Sequence, residues 1–342
     1  MEFSIMFFGS STTEKIEYNT LFEIARKADK NDLDAIWTPE RHFGDFGAAF
    51  PSPSVLGAAI AMATEKINIR SGSVVLPLQD PIRVAEEWAL VDNLSNGRIG
   101  ISIASGWRAD DFVFYGSEYE NRHQKMQNLI VELKKLWNRE PVIRKNGDGK
   151  DFEVLIRPVP VTKELPLWVT AAGRPETFEY AGKVGANLLT HMLKQSMDDL
   201  KESITIYRNA LIDNGFDVSD KKISLMLHTY LDSSEEEARR IAEVPFKEYL
   251  KSSIKMVKPK ESQSFDVNNL VEMAYRKYNS NNTLIGSPES CQNLLKEIES
   301  IGVTEVVSFI DFGIENGKVI KGIDRIFEAK NLFSLSKMYL EA

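Results

Sequence analysis

The chain has one cysteine, Cys291, among 342 residues. A lone cysteine excludes an internal disulfide and any metal site built on several thiolates. It suits a reducing compartment, and the cytoplasm is the expected location. Histidine is scarce as well, at four residues. Their spacing fits no zinc motif, and no metal is expected. Long apolar runs are missing: none approaches the ~20 residues that a membrane-spanning helix needs. The opening MEFSIMFFGSS lacks the basic start and cleavage pattern of a secretory signal. Positive charge is not in excess, since the net charge is −8 and no basic block occurs. Neither nucleic acid nor a membrane is therefore expected as a partner. No G-x-S-x-G is present, which speaks against a hydrolase with a nucleophile elbow. No G-x-G-x-x-G follows the first apolar run, which disfavours a doubly wound dinucleotide fold.

What is present is ordinary in bulk and informative in order. Hydrophobic residues make up 43% and charged residues 27%, as in globular proteins. The stretch from Ile67 to Trp107 is the best punctuated. A β-branched run ends at Pro77, Asp80 is placed to cap a helix, and Pro81 occupies its first turn. Ile82, Ala85, Trp88, Val91 and Leu94 recur at helical spacing, and Ser95-Asn96-Gly97 stops the helix. Ile99, Ile101 and Ile103 then resume as a strand. This is a βαβ unit, with parallel strands and a right-handed crossover. Similar alternation gives strands at Phe3–Phe8, Leu33–Trp37, Leu167–Thr170, Ala186–Thr190, Ile223–Leu231 and Thr304–Ile310. Eight strands interleaved with helices predict a (β/α)₈ barrel. One domain over residues 1–342 is expected, with excursions near 138–163 and 251–282. The second is polar and reads as an inserted loop with a short helix.

In such a barrel the C-terminal strand ends share one mouth. They carry Gly9-Ser10, Glu40-Arg41-His42, Gly72-Ser73, Ser105-Gly106-Trp107, Ala172-Gly173-Arg174, Thr190-His191, His228 and Asp311. Gly72-Ser73 interrupts a buried strand, which marks either close approach of a ligand or relief of crowding. AAGRPET (Ala171 to Thr177) joins a strand to a helix start. Free N–H groups, the helix dipole, Arg174 and the Thr177 hydroxyl there suit a phosphate monoester, or simply a capped helix with a solvated arginine. His42, His191 and His228 are candidates for acid–base work; His123 lies in a polar helix start and reads as exposed. The set suits a phosphorylated organic cofactor that brings its own reactivity.

Longer motifs carry a resemblance. WTPERHF (Trp37 to Phe43), RSGSVVLPLQDPIRVAEEWALVDNLSNGR (Arg70 to Arg98), ASGWRADDF (Ala104 to Phe112), LPLWVTAAGRPETFEYAG (Leu165 to Gly182), GANLLTHML (Gly185 to Leu193) and MLHTYL (Met226 to Leu231) resemble the luciferase-like flavin-dependent monooxygenases. The match is closest to the subgroup encoded with nonribosomal-peptide and polyketide assembly lines. The resemblance implies reduced FMN (FMNH2) as cofactor, O2 as co-substrate and C4a-hydroperoxyflavin chemistry. It implies a separate flavin reductase, a homodimer, and hydroxylation of an acyl or aminoacyl group tethered to a carrier protein, with Baeyer–Villiger insertion as the second outcome. Ser105, Gly173, Arg174 and Thr177 would hold the flavin phosphate, with Gly106 and Ala172 beside them. The ring would lie against Gly72-Ser73, where relatives have a non-proline cis peptide, and Trp107 would line the pocket. His42, His191 and His228 would move protons, and Arg41 would stabilise negative charge. Bacterial luciferases have a histidine where this chain has Arg41, so light emission from an aldehyde is not implied. They also have an acidic residue and a serine at the places of Gly173 and Arg174. An acidic chain docking an acidic carrier would need a local basic patch, for which Lys255, Lys258 and Lys260 are the candidates. The competing expectations are a deazaflavin-dependent oxidoreductase without oxygen activation and a non-catalytic flavin-binding subunit.

Overall fold

The computed structural model describes residues 1–8, 18–43, 49–116, 119–193, 195–257 and 267–341. Gly9, Ser10, the Lys255 side chain, Lys258 and Lys260 lie outside the described residues. In chain order the strands are β1 (Glu2–Met6), β2 (Ala35–Thr38), β3 (Asn68–Val75), β4 (Ile99–Ala104), β5 (Val142–Lys145), β6 (Asp151–Val154), β7 (Leu167–Thr170), β8 (Asn187–His191), β9 (Ile223–Leu231), β10 (Leu284–Gly286) and β11 (Glu305–Phe309). The helices are α1 (Tyr18–Lys30), α2 (Pro53–Ala63), α3 (Pro81–Ser95), α4 (Arg122–Trp137), α5 (Pro175–Lys183), α6 (Met197–Asp213), α7 (Glu235–Val257), α8 (Val267–Asn281), α9 (Gln292–Ser300) and α10 (Asn316–Glu341). Strands β1, β2, β3, β4, β7, β8, β9 and β11 pair in parallel, and β8–β9 and β11–β1 pairings close the ring. The result is a (β/α)₈ barrel, as the alternation of strands and helices predicts. Among the described residues, no helix is long and apolar enough to cross a membrane.

The best-punctuated stretch folds as its signals demand. Asp80 caps α3 by accepting from the Ile82 N–H at 2.8 Å, and Asn96 ends it in the left-handed conformation at φ 57°. The barrel floor is less predictable, because it is charged. Arg70 reaches Glu305 at 2.8 Å and Asp34 at 2.7 Å, with its guanidinium over the Trp168 ring at 4.6 Å. Trp37 Nε1 donates to the same Glu305 at 3.2 Å. A buried charge persists only when it is paired and hydrogen-bonded in this way. Gly100 makes room for the stack: a Cβ there would sit 2.8 Å from Trp168 and 3.0 Å from Arg70.

The two excursions depart from the sequence expectation to different degrees. Residues 138–163 contain the β5–β6 hairpin, which turns at Asn146 and Gly149. Buried Asp92 on α3 ties its return down by accepting from the N–H groups of Val161 at 2.6 Å and Thr162 at 2.8 Å. In the second excursion α7 runs on to Val257 and α8 covers 15 residues, more helix than a polar loop with a short helix. The two helices are joined by Lys247, which pairs with Glu243 at 2.8 Å and Glu272 at 2.6 Å. The short β10 then extends the pairing of β9 at Thr229–Leu231.

Candidate active site

At the end of β2, Glu40 is only 4% exposed and works as a clamp. Its carboxylate accepts from Val75 N–H at 2.8 Å, Gln79 Nε2 at 2.7 Å and His42 Nε2 at 2.9 Å. Its own N–H donates to the Ser73 carbonyl at 3.1 Å. From the other side, Arg108 donates to the carbonyls of His42 and Phe43, each at 3.0 Å. The His42 ring meets Phe114 edge-on at 5.0 Å. Glu40 thus fixes both the tautomer and the orientation of His42.

Arg41 sits inside the mouth. Its guanidinium lies over the Phe8 ring at 4.7 Å and the Trp107 ring at 5.5 Å. Burial pushes its pKa down from the usual arginine value. Asp111 stands nearby with its carboxyl pushed up by burial, against the pull of Arg108, His42 and Arg41. Arg108, 3.6 Å away, is the ion-pair partner of Asp111.

The Gly72–Ser73 peptide is cis, and the β3–β4 register shifts between Ser71 and Val74. Ser71 Oγ bridges the gap, accepting from Ser102 N–H at 2.8 Å and donating to the Ser102 carbonyl at 3.0 Å. Beside it Ser73, Ser102 and Thr170 bring three hydroxyls together from three strands. Ser102 and Thr170 are 2.7 Å apart, Ser73 and Ser102 3.2 Å, and Ser73 bonds Thr170 directly. A Cβ at Gly72 would meet Met6 Cε at 2.5 Å, so this glycine also relieves crowding.

The third group is an open cradle. Gly106 takes φ +83°, and a Cβ there would press on Phe112 and Val75 at 2.9 Å. Its carbonyl accepts from Arg122 Nε at 3.0 Å, which joins the Ser105–Gly106 turn to the start of α4. The next residue, His123, accepts from Arg174 Nη1 at 3.0 Å, which joins α4 to the start of α5. Burial, Arg122 and Arg174 all hold the His123 pKa down, consistent with a neutral ring accepting at Nε2. Gly173 takes φ +85° with nothing within 4 Å of a Cβ position, and Ala172, Gly173 and Arg174 are exposed. No side chain among the described residues caps α5, and Pro175 fills its first position. The helix dipole and the exposed Arg174, whose Nε lies 3.7 Å from the Glu176 carboxylate, suit a phosphate dianion. His123, read as merely exposed from the sequence, belongs to this group; its link to Arg174 spans 51 residues and leaves no local signal.

Across the mouth, His191 and His228 line one crevice with Met192, Met226, Phe246 and Tyr278. His191 Nδ1 accepts from the Leu193 N–H at 3.1 Å. His228 is enclosed by Tyr249, Phe309, Phe246 and Phe312 at 4.6–5.5 Å. Its Nε2 has no hydrogen-bond partner among the described residues, and burial pushes its pKa down to about 3. It is therefore neutral near pH 7.

A parallel barrel with an aromatic mouth and a helix start suited to an anion is the architecture of an α/β-barrel enzyme with room for an organic cofactor. Residues 1–305 match the luciferase-like monooxygenase family. The chain belongs to that family and is a flavin-dependent monooxygenase. It is 28% identical to the oxygenase component of a flavin-dependent trigonelline monooxygenase from Acinetobacter baylyi, over 95% of this chain and 92% of the relative. Among solved structures, monooxygenase RslO1 from Streptomyces bottropensis superposes with TM-score 0.84 at 18% identity, covering 96% of this chain and 98% of that one. The oxygenating constituent of 3,6-diketocamphane monooxygenase from Pseudomonas putida, a type II Baeyer–Villiger enzyme in complex with FMN, gives 0.74 at 19% identity, covering 95% and 96%.

Proposed function

We propose that the chain uses reduced FMN and O2 to oxygenate a small organic group, with hydroxylation as the outcome. The observation that carries this reading is the cradle joined by Gly106–Arg122 and His123–Arg174 at the rim of the barrel. Ser105, Arg174 and Thr177 would hold the flavin phosphate, with Gly106, Ala172 and Gly173 leaving the backbone accessible. His123 aims the Arg174 guanidinium. The ring would lie along Gly72-Ser73 and Trp107, within reach of the Ser73, Ser102 and Thr170 hydroxyls. When bound, the reduced flavin supplies the electrons that activate O2. The protein's part is to orient the ring, exclude water and control protons. His42, held by Glu40, is the proton donor or acceptor of this wall. Arg41 supplies positive charge to an anion in the mouth. His191 is the proton-handling group of the far wall. His228, being neutral, orients and packs.

The oxygenase-component name of the Acinetobacter relative supports a separate reductase as electron source. The carrier-tethered acyl or aminoacyl substrate, and a place in nonribosomal-peptide or polyketide biosynthesis, are part of the proposal through the motifs quoted above. Two copies are proposed to pair through the outer faces of α2 and α3, where Val55, Met62, Leu90 and Leu94 are exposed. The test is anaerobic titration with reduced FMN followed by mixing with 18O-labelled O2 and candidate substrates. The reading predicts saturable binding and label in the product. Reduced FMN that binds and is reoxidised with no label in any product would count against it.

A further inference from the structure

The mouth contains a cation that no carboxylate among the described residues pairs with directly. The Arg41 guanidinium touches two aromatic rings, and its Nε makes no hydrogen bond among the described residues. No carboxylate among the described residues lies within ion-pair distance of it. Asp111 supports the Arg41 charge only at a distance: it lies 3.6 Å from Arg108, and its Oδ1 has no hydrogen-bond partner among the described residues. Leaving a desolvated guanidinium without a hydrogen-bonded counter-ion is costly, and a charge-assisted bidentate pair with a carboxylate is the strongest remedy. Around it the walls are aromatic, with Phe8 itself buried. Phe8 packs edge-on to Phe309 at 5.1 Å and Tyr249 at 5.6 Å, and Trp107 is 41% exposed.

We propose that Arg41 is a substrate-recognition residue that binds a carboxylate on the molecule to be oxygenated, whose apolar body lies against Trp107. This deepens the oxygenase reading and rests on it for the place of the substrate. The guanidinium fork meets both carboxylate oxygens, while the two rings hold its plane. A neutral isostere of the same shape loses the pair and keeps only the apolar contact.

The experiment is calorimetric titration of the full chain without flavin, using benzoate and hexanoate against benzamide and hexanamide. The proposal predicts that each acid binds at least tenfold more tightly than its amide. Arg41→Met should abolish the preference, and Arg41→Lys should keep part of it, as a point charge without the planar fork. Equal binding of acid and amide, or a preference that survives Arg41→Met, overturns the proposal. Glutaryl-pantetheine run beside monomethyl glutarate separates a carboxylate on a tethered group from that of a free acid; Arg41-dependent binding of either supports the site. FMN titrations keep the two readings apart. An Arg41→Met chain that loses FMN as strongly as Arg174→Ala assigns Arg41 to the flavin and overturns the proposal. A chain that prefers acids yet takes no FMN contradicts the flavin reading and leaves the carboxylate site standing.

Discussion

A histidine in an aromatic box carries a pH signature of its own. The His228 pKa falls from 6.5 to about 3 in the folded chain, so between those values the unfolded chain binds more protons. Stability from this group is therefore complete above about pH 6.5 and declines as the pH drops toward 3. Between pH 7.5 and 5.5 the loss is about 1.4 kcal/mol from this residue alone. Urea unfolding at the two pH values should show that loss in the wild type and not in His228→Phe, which keeps the ring stacking. At this scale the sequence was informative about residue type and silent about partners. Glu40, Arg41 and His42 stand together in the chain, yet one is a clamp, one a cation against rings and one a hydrogen-bonded imidazole. Their different environments come from β3, from Phe8 and Trp107, and from Arg108, all distant in sequence. His123 is the plainest omission for the same reason.

Among the elements, α5 positions the cradle, and its own position depends on α6. Gly182 is the contact: a Cβ there would fall 2.5 Å from the Tyr207 carbonyl oxygen and 2.6 Å from Ala210 Cβ. Alanine is the better helix former by about 1 kcal/mol. The overlap is with backbone, which no rotamer change relieves, so the clash wins. Gly182→Ala should cost roughly 1–3 kcal/mol in denaturant unfolding. It should also weaken FMN more than riboflavin, because the start of α5 moves. Equal weakening of both would detach α5 from the phosphate. Element by element, the strands were legible because apolar β-branched runs end in Pro, Gly or Ser. Helix α8 was not, because its apolar residues, Val267, Leu270, Val271, Ala274, Tyr275 and Tyr278, are diluted by Asn, Lys and Arg. Its stability comes from packing on α7, where Phe246 meets Tyr275 edge-on at 6.1 Å. Strand β10 has three residues, too few for a period to show.

For the whole molecule, the barrel followed from alternation alone, while the mouth had to be assembled from loops over a hundred residues apart. The outer face of α2 exposes apolar side chains to water. Val55 and Met62 are 70% and 73% exposed, and with Ala59 they recur at helical spacing. Met62→Glu should convert a dimer to a monomer in light scattering, with the far-ultraviolet spectrum unchanged. An unaltered mass would exclude this face as the contact. The central claim is that the Arg174 cradle holds a flavin phosphate. The most direct measurement is the affinity of the wild type and of Arg174→Ala for FMN and for riboflavin, by quenching of flavin fluorescence. The account predicts that the wild type binds FMN far more tightly than riboflavin. The substitution should weaken FMN about tenfold or more, in line with the ~1.5–3 kcal/mol of a charge-assisted bond, and leave riboflavin nearly unchanged. Equal losses for the two flavins would contradict it.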